Sequence, residues 1–251
     1  MFTVALIGPD GAGKTTVSRR LEAELALPVK SIYMGVNLYS SSTMLPHMRL
    51  IFLLRRRMQG ADPNASSDLK TFRAPPKTLI GRFAAAVRSG VRLTNWLAEE
   101  WYRQAVAAYY TRRGTVVVFD RHFFADFYEK QINAGAEERR LSQRIHGFVL
   151  QHLYPKPDLV ICLDAPAEVL FARKPEGSLD RLRKKRADYR ALRQLLPDAV
   201  VVDAAMSTDD VTREVVSVIR TFQESLRPDA PSSRRLRVLR TRIRPSRGGP
   251  R

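Results

Sequence analysis

The feature that most constrains this chain is the run Gly8-Pro9-Asp10-Gly11-Ala12-Gly13-Lys14-Thr15, preceded by the apolar stretch Phe2–Ile7. It fits the pattern G-x-x-x-x-G-K-[ST]. Small residues let successive backbone N–H groups turn inward around an anion. A helix that starts at Lys14 directs its positive end at the same point. Lys14 is placed to reach the β- and γ-phosphates of a nucleotide, and the Thr15 hydroxyl to ligate Mg²⁺. Gly8, Asp10, Gly11, Ala12, Gly13, Lys14, Thr15 and Thr16 are therefore the expected nucleotide-binding residues, with ATP and Mg²⁺ as cofactors. The plainer alternative, a glycine-rich surface turn, does not require the apolar strand before the loop or the helical pattern after it.

That helical pattern places Val17, Leu21 and Leu25 four residues apart. Further short apolar runs follow at 29–34, 115–119, 159–163 and 199–202, and a final helix is expected over 209–226. Alternation of short apolar runs with helices predicts a three-layer α/β/α fold around a five-stranded parallel sheet. The last three runs lead into Asp120, Asp164 and Asp203. Ligands of such sheets bind beyond the carboxyl ends of the strands, where these aspartates and the glycine loop converge. Residues 1–227 read as one folded unit with a helical insert at about 39–95. Within the insert a loop is expected at 60–68 and a break at Pro75-Pro76. The segment 228–251, rich in Pro, Ser, Gly and Arg, is expected to be disordered.

The formal net charge is +18. The tail from Pro228 holds eight arginines and one aspartate, a net +7, which leaves +11 on the residues before it. One phosphate site does not need that many cations. An acidic partner surface, lipid or nucleic acid, is one explanation, and a generally arginine-rich composition is the other. The single cysteine, Cys162, rules out a disulfide within the chain and fits a reducing, cytoplasmic setting. No apolar run reaches the roughly 18–20 residues of a membrane span. Phe2–Ile7 leads straight into the loop, so a cleaved leader is not expected there.

The run Val116-Val117-Val118-Phe119-Asp120-Arg121-His122 adds the second half of a site. A carboxylate at a strand end can serve the metal, and a planar guanidinium beside it can hold a pair of phosphate oxygens. A strand-end cap with an ordinary surface arginine is the alternative. With the loop at 8–16, this run resembles the thymidylate kinase-like branch of P-loop nucleotide kinases. The stretch 157–164, the basic segment from Arg173-Lys174 to Tyr189 and the run Val201-Val202-Asp203-Ala204 carry the resemblance further.

The resemblance implies an ATP-dependent phosphotransferase. Asp10 would touch the sugar hydroxyl of the acceptor and Arg121 would bind its phosphate. Asp120 would serve the metal and the reacting phosphates together with Thr15. Trp96 would stack on the acceptor base, its alternative being a core or interface tryptophan. A lid at about 173–188 would bring Arg173, Arg181 or Arg183 over the transferring group, unless these form a solvated basic face. Lys14, Asp120, Arg121, Arg173 and Arg181 are thus the expected catalytic set, and Asp10, Trp96 and Arg121 the acceptor set. The chain departs from the family at two places. No arginine follows the second strand in Tyr33-Met34-Gly35-Val36-Asn37, with Arg49 a candidate substitute. Glu99-Glu100 stand where an arginine would read the thymine edge. The acceptor is therefore read as a small molecule, foremost a nucleoside monophosphate of the dTMP type. A sugar or nucleoside is the second reading, and an ATP-binding regulatory protein the third. The helices before Asp120 offer a face for a homodimer, and the tail a weak contact with an acidic surface.

Overall fold

The computed structural model describes residues 1–35, 43–59, 78–122, 141–175, 178–195 and 199–227. Five strands run in parallel: β1 (Thr3–Ile7), β2 (Val29–Tyr33), β3 (Val116–Asp120), β4 (Leu159–Asp164) and β5 (Val200–Asp203). Their order across the sheet is β2-β3-β1-β4-β5. The five expected strands are all present, each within a residue or two of its expected bounds. β3, β4 and β5 include the aspartates expected just beyond them. The helices are α1 (Lys14–Glu24), α2 (Pro46–Gln59), α3 (Leu79–Arg112), α4 (Leu141–Phe148), α5 (Ala167–Arg173), α6 (Leu179–Leu195) and α7 (Thr208–Ser225). A π-helical turn, Val149–Leu153, extends α4.

The apolar runs form strands because both faces of the sheet are covered. In such a layer every second side chain goes to the opposite core. Val4, Leu6, Val116 and Val118 join one core with Val17 and Leu21 of α1 and Val211, Val215 and Ile219 of α7. Ala5, Ile7, Val117 and Phe119 join the other with Ala107 of α3, Leu150 of the π turn and Tyr189 of α6. β1, buried along almost its whole length, lies at the centre between β3 and β4. Its register sets Leu6 against Asp120 and Ile7 against Cys162. The loop after Ile7 therefore opens between the ends of β3 and β4, level with Asp120 and Asp164.

α7 starts at the N-cap Ser207, whose hydroxyl accepts a hydrogen bond from the Asp210 N–H, with Asp209 and Asp210 in the favourable first turn. α3 runs unbroken for 34 residues through the expected end of the insert at 95. The loop expected at 60–68, the break at Pro75-Pro76 and the tail 228–251 lie outside the described residues. No helix among the described residues is long and apolar enough to cross a membrane.

Candidate active site

The loop from Gly8 to Gly13 needs its glycines for space and for backbone angle. A Cβ on Gly8 would stand 2.3 Å from the Leu163 carbonyl oxygen, and one on Gly11 would stand 2.6 Å from that of Leu170. Gly13, at φ 83°, is the N-cap of α1, a left-handed conformation that other residues adopt at a cost. Lys14 follows on the first turn and is buried. Its Nζ donates to the carbonyl oxygens of Gly8 and Pro9, each at 2.7 Å, and so lies folded over the loop. Burial, then the nearby Arg121 guanidinium, pushes Lys14 down to about 8 against the raising influence of Asp10 and Asp120.

Thr15, next on α1, donates its hydroxyl to Asp120 Oδ2 at 2.6 Å. Asp120 is 3% exposed, and its Oδ1 has no hydrogen-bond partner among the described residues. A buried carboxylate oxygen in that condition calls for a partner. Two hard oxygen donors beside a phosphate cradle suit Mg²⁺, which keeps waters and phosphate oxygens for its other positions. No group of three or more His, Cys, Asp or Glu side chains among the described residues could hold a metal unaided. The set therefore fits a magnesium ion that arrives with a nucleotide.

Arg121 lies one residue beyond β3. At φ 68° it is the one non-glycine among the described residues with positive φ. Such strain costs about 1 kcal/mol or more and persists where the surroundings hold it. Here the Arg121 N–H donates to the Leu6 carbonyl at 3.1 Å, and its guanidinium donates to Asp10 Oδ1 at 2.5 Å. Lys185 of α6 donates to the other oxygen, Asp10 Oδ2, at 2.7 Å. Burial alone would raise the Asp10 carboxyl. Arg121, Lys185 and Lys14 together overcome it and hold the group well below the usual carboxylate range. The loop, β3 and α6 thus bring Asp10, Lys14, Thr15, Asp120, Arg121 and Lys185 into one cradle.

Other residues expected at the site lie elsewhere. Arg173, at the end of α5, donates to the carbonyls of Ala204, Ala205 and Met206 beyond β5. Arg181 is exposed on α6. Arg183 pairs in solvent with Glu168 at 2.9 Å and Asp180 at 3.2 Å. Arg186, beside Lys185, forks onto Asp164 at the end of β4, with bonds of 2.7 and 3.1 Å. The inward reach of Lys185 and Arg186 was readable in outline. Leu182 and Tyr189 are buried, and residues three and four after Leu182 lie on the same helical face.

Trp96, expected to stack on an acceptor base, stacks on His146 of α4, with ring centroids 4.2 Å apart and planes at 29°. His146 Nε2 meets both Glu100 oxygens, at 2.9 and 3.0 Å. Glu99 pairs with Arg103 in a buried salt bridge of 3.1 Å and also accepts from the Leu45 N–H. Arg103, which the sequence reading did not single out, donates to the Gly35 carbonyl at 3.2 Å. α3 thereby delivers a guanidinium to the end of β2, where the expected arginine is missing. Arg49 is exposed on α2. Burial pushes His122 down to about 3, so it packs neutral against Phe119 and Tyr154.

A parallel sheet ordered 2-3-1-4-5 with a glycine cradle after its central strand defines a P-loop protein of the nucleoside and nucleotide kinase fold. A solved structure of deoxyadenosine kinase from M. mycoides shares that fold, with TM-score 0.50 and 15% identity over 87% of this chain and 99% of the other. No family model matches the chain. A probable thymidylate kinase 1 of Saccharolobus solfataricus is 25% identical over 223 residues, spanning 86% of this chain and 96% of the relative. A probable thymidylate kinase of Pyrococcus horikoshii is 30% identical over 115 residues, which are 43% of this chain and 53% of the relative. The chain is thus similar, at modest identity, to proteins named probable thymidylate kinases.

Proposed function

We propose that the chain transfers the γ-phosphoryl group of ATP to a small acceptor, foremost a nucleoside monophosphate of the dTMP type. The observation that carries this is the convergence of Lys14, Thr15–Asp120 and the ion cluster Arg121–Asp10–Lys185 on one loop. Phosphoryl transfer asks for positioned cations around a spreading negative charge, with little covalent work by the protein. Arg121 and Lys185 share the Asp10 carboxylate, and Lys14 donates to loop carbonyls. Incoming phosphates replace those partners. Lys14 then meets the β- and γ-phosphates, Arg121 the acceptor phosphate, and Lys185 the group in transfer. Asp10, released from two cations, accepts a hydrogen bond from an acceptor hydroxyl. Thr15 and Asp120 would hold a magnesium ion, which would supply charge neutralisation at the nucleotide phosphates. An acceptor phosphate is already ionised at neutral pH and needs no base on the protein.

A nucleoside or sugar acceptor is the second reading. It is favoured by Arg103, whose guanidinium is already engaged by Glu99 and by the carbonyls of Gly35 and Thr43. Incubation with ATP, Mg²⁺ and each common nucleoside, monophosphate and sugar decides between them. Diphosphate formed from dTMP or another monophosphate supports the first reading. Phosphorylated nucleoside or sugar with no diphosphate overturns it.

Lys185→Ala is expected to lower kcat about 10–100-fold, as for loss of one charge-stabilising donor, with a smaller change in the KM for ATP. Steady-state kinetics beside Arg181→Ala would tell which cation of α6 reaches the phosphates. A parent-like Lys185→Ala enzyme would remove Lys185 from the mechanism.

Affinity for ATP is expected to depend on pH through Lys14. The free protein holds this ammonium only below about 8. Bound phosphates favour the charged form and raise its pKa. Affinity is then full below pH 8 and falls as pH rises through that value, by up to about tenfold per unit. Calorimetric titration between pH 6.5 and 9.5 would check this, and a flat profile would contradict it.

A further inference from the structure

Away from the phosphate site, surplus positive charge and exposed apolar side chains fall on the same two helices. α2 carries four arginines and no acidic residue, and residues 79–98 of α3 carry three arginines and no acidic residue. These stretches account for +7 of the +11 found before residue 228, leaving +4 for all the rest of the folded unit. On α3, Ile80 is 84% exposed, Phe83 73%, Val91 57% and Val87 49%. At about 100° per residue these four fall within roughly a quarter of the helix circumference. On α2, Leu50, Leu53 and Leu54 are each more than half exposed and share one side with the exposed Arg57. The first described side chain of α3 to be buried is Glu99. The apolar stripe therefore lies on the length of helix that precedes the packed core.

Large apolar side chains grouped on an exposed face mark a binding surface. Charge selects the occupant. A second copy docked face to face would set these arginines against their own kind, and like charges across an interface are costly. A nucleic acid would satisfy the arginines but leave Ile80, Phe83 and the leucines in water. An anionic lipid surface serves both. Apolar side chains enter the acyl boundary while arginines meet the headgroups, which is the pattern of helices that lie in a bilayer interface. We propose that α2 and the first half of α3 form a docking surface for an anionic lipid bilayer. This stands independently of the acceptor, because none of its residues belongs to the phosphate cradle.

The test is co-sedimentation of the full chain with phosphatidylcholine vesicles that contain about a third phosphatidylglycerol. Binding is expected there, at least tenfold weaker on pure phosphatidylcholine, and weakened by 0.5 M salt through screening. The double substitution Ile80→Glu and Phe83→Glu is expected to lower the partition coefficient at least tenfold. Circular dichroism and ATP binding should be unchanged, since both side chains face solvent. Leu50→Glu with Leu54→Glu should act in the same direction, and decides the matter if the first variant folds poorly. Both variants keep the basic tail, so parent-like binding by them assigns any lipid contact to the tail and overturns the proposal. Two other results overturn it as well. One is no vesicle binding by the parent together with a dimer that Ile80→Glu and Phe83→Glu dissociate. The other is binding to nucleic acid but not to vesicles.

Discussion

Lys14→Ala is expected to reduce kcat/KM for phosphoryl transfer at least about 10³-fold, which corresponds to roughly 4 kcal/mol of lost transition-state stabilisation. Lys14 sits on the first turn of α1, buried, and donates to the loop carbonyls of Gly8 and Pro9. A bound nucleotide would draw it away from two neutral carbonyls toward concentrated negative charge. No neighbouring cation can take over. Arg121 and Lys185 are both held on the Asp10 carboxylate. The same substitution should leave the empty protein no less stable at neutral pH. The folded-state pKa of Lys14 lies near 8, below its ordinary 10.5, so burial opposes the charged form. The unfolded chain then binds more protons than the folded one between those values, and parent stability should rise with pH from about 8 to 10.5. The variant lacks that rise. Denaturant titrations at pH 7 and 9.5 beside kinetic assays would show both effects. A Lys14→Ala protein that turns over ATP like its parent would end the proposed mechanism. One that unfolds at pH 7 would remove the argument from burial.

The contrast between Lys14 and Lys185 shows how far the sequence could be read. Lys14 belongs to a contiguous pattern, because the backbone that wraps the phosphate and the side chain that touches it are neighbours along the chain. The strand before it and the helix after it are set by local apolar spacing, so the sheet, the loop and the pairing of Thr15 with Asp120 were all legible. Lys185 is one of several cations on α6, and periodicity could at most say that it shares a face with Leu182 and Tyr189. Its nearness to Asp10 depends on where the helix lies over the sheet, which is a tertiary fact. Arg103 was hidden for a similar reason. Its spacing to Glu99 reads as an ordinary exposed i,i+4 pair, yet the pair is buried and reaches the end of β2. Trp96 was expected by its position to stack on an acceptor base, and its stacking on His146 joins residues 50 apart in the chain, which no local pattern shows.

Asp120→Asn is the second substitution with a large expected effect, because it changes charge while keeping shape. The asparagine oxygen can still accept from the Thr15 hydroxyl, so the local fold should hold. Its amide nitrogen would occupy the place of Oδ1, a buried oxygen without a hydrogen-bond partner among the described residues. A donor there cannot face a cation. The expected result is a loss in kcat of about 10²–10³-fold or more, with the Mg²⁺ concentration for half-maximal rate raised at least tenfold. A second consequence follows from the coupling to Lys14. Asp120 is one of the two carboxylates that raise the Lys14 pKa, so its neutralisation should lower that value further. The decline of ATP affinity with rising pH should then begin at lower pH in the variant than in the parent. Magnesium titrations of rate, with nucleotide binding measured across pH, would separate the two effects. An Asp120→Asn enzyme that keeps the parental magnesium requirement would exclude Asp120 from the metal site, whatever its effect on Lys14.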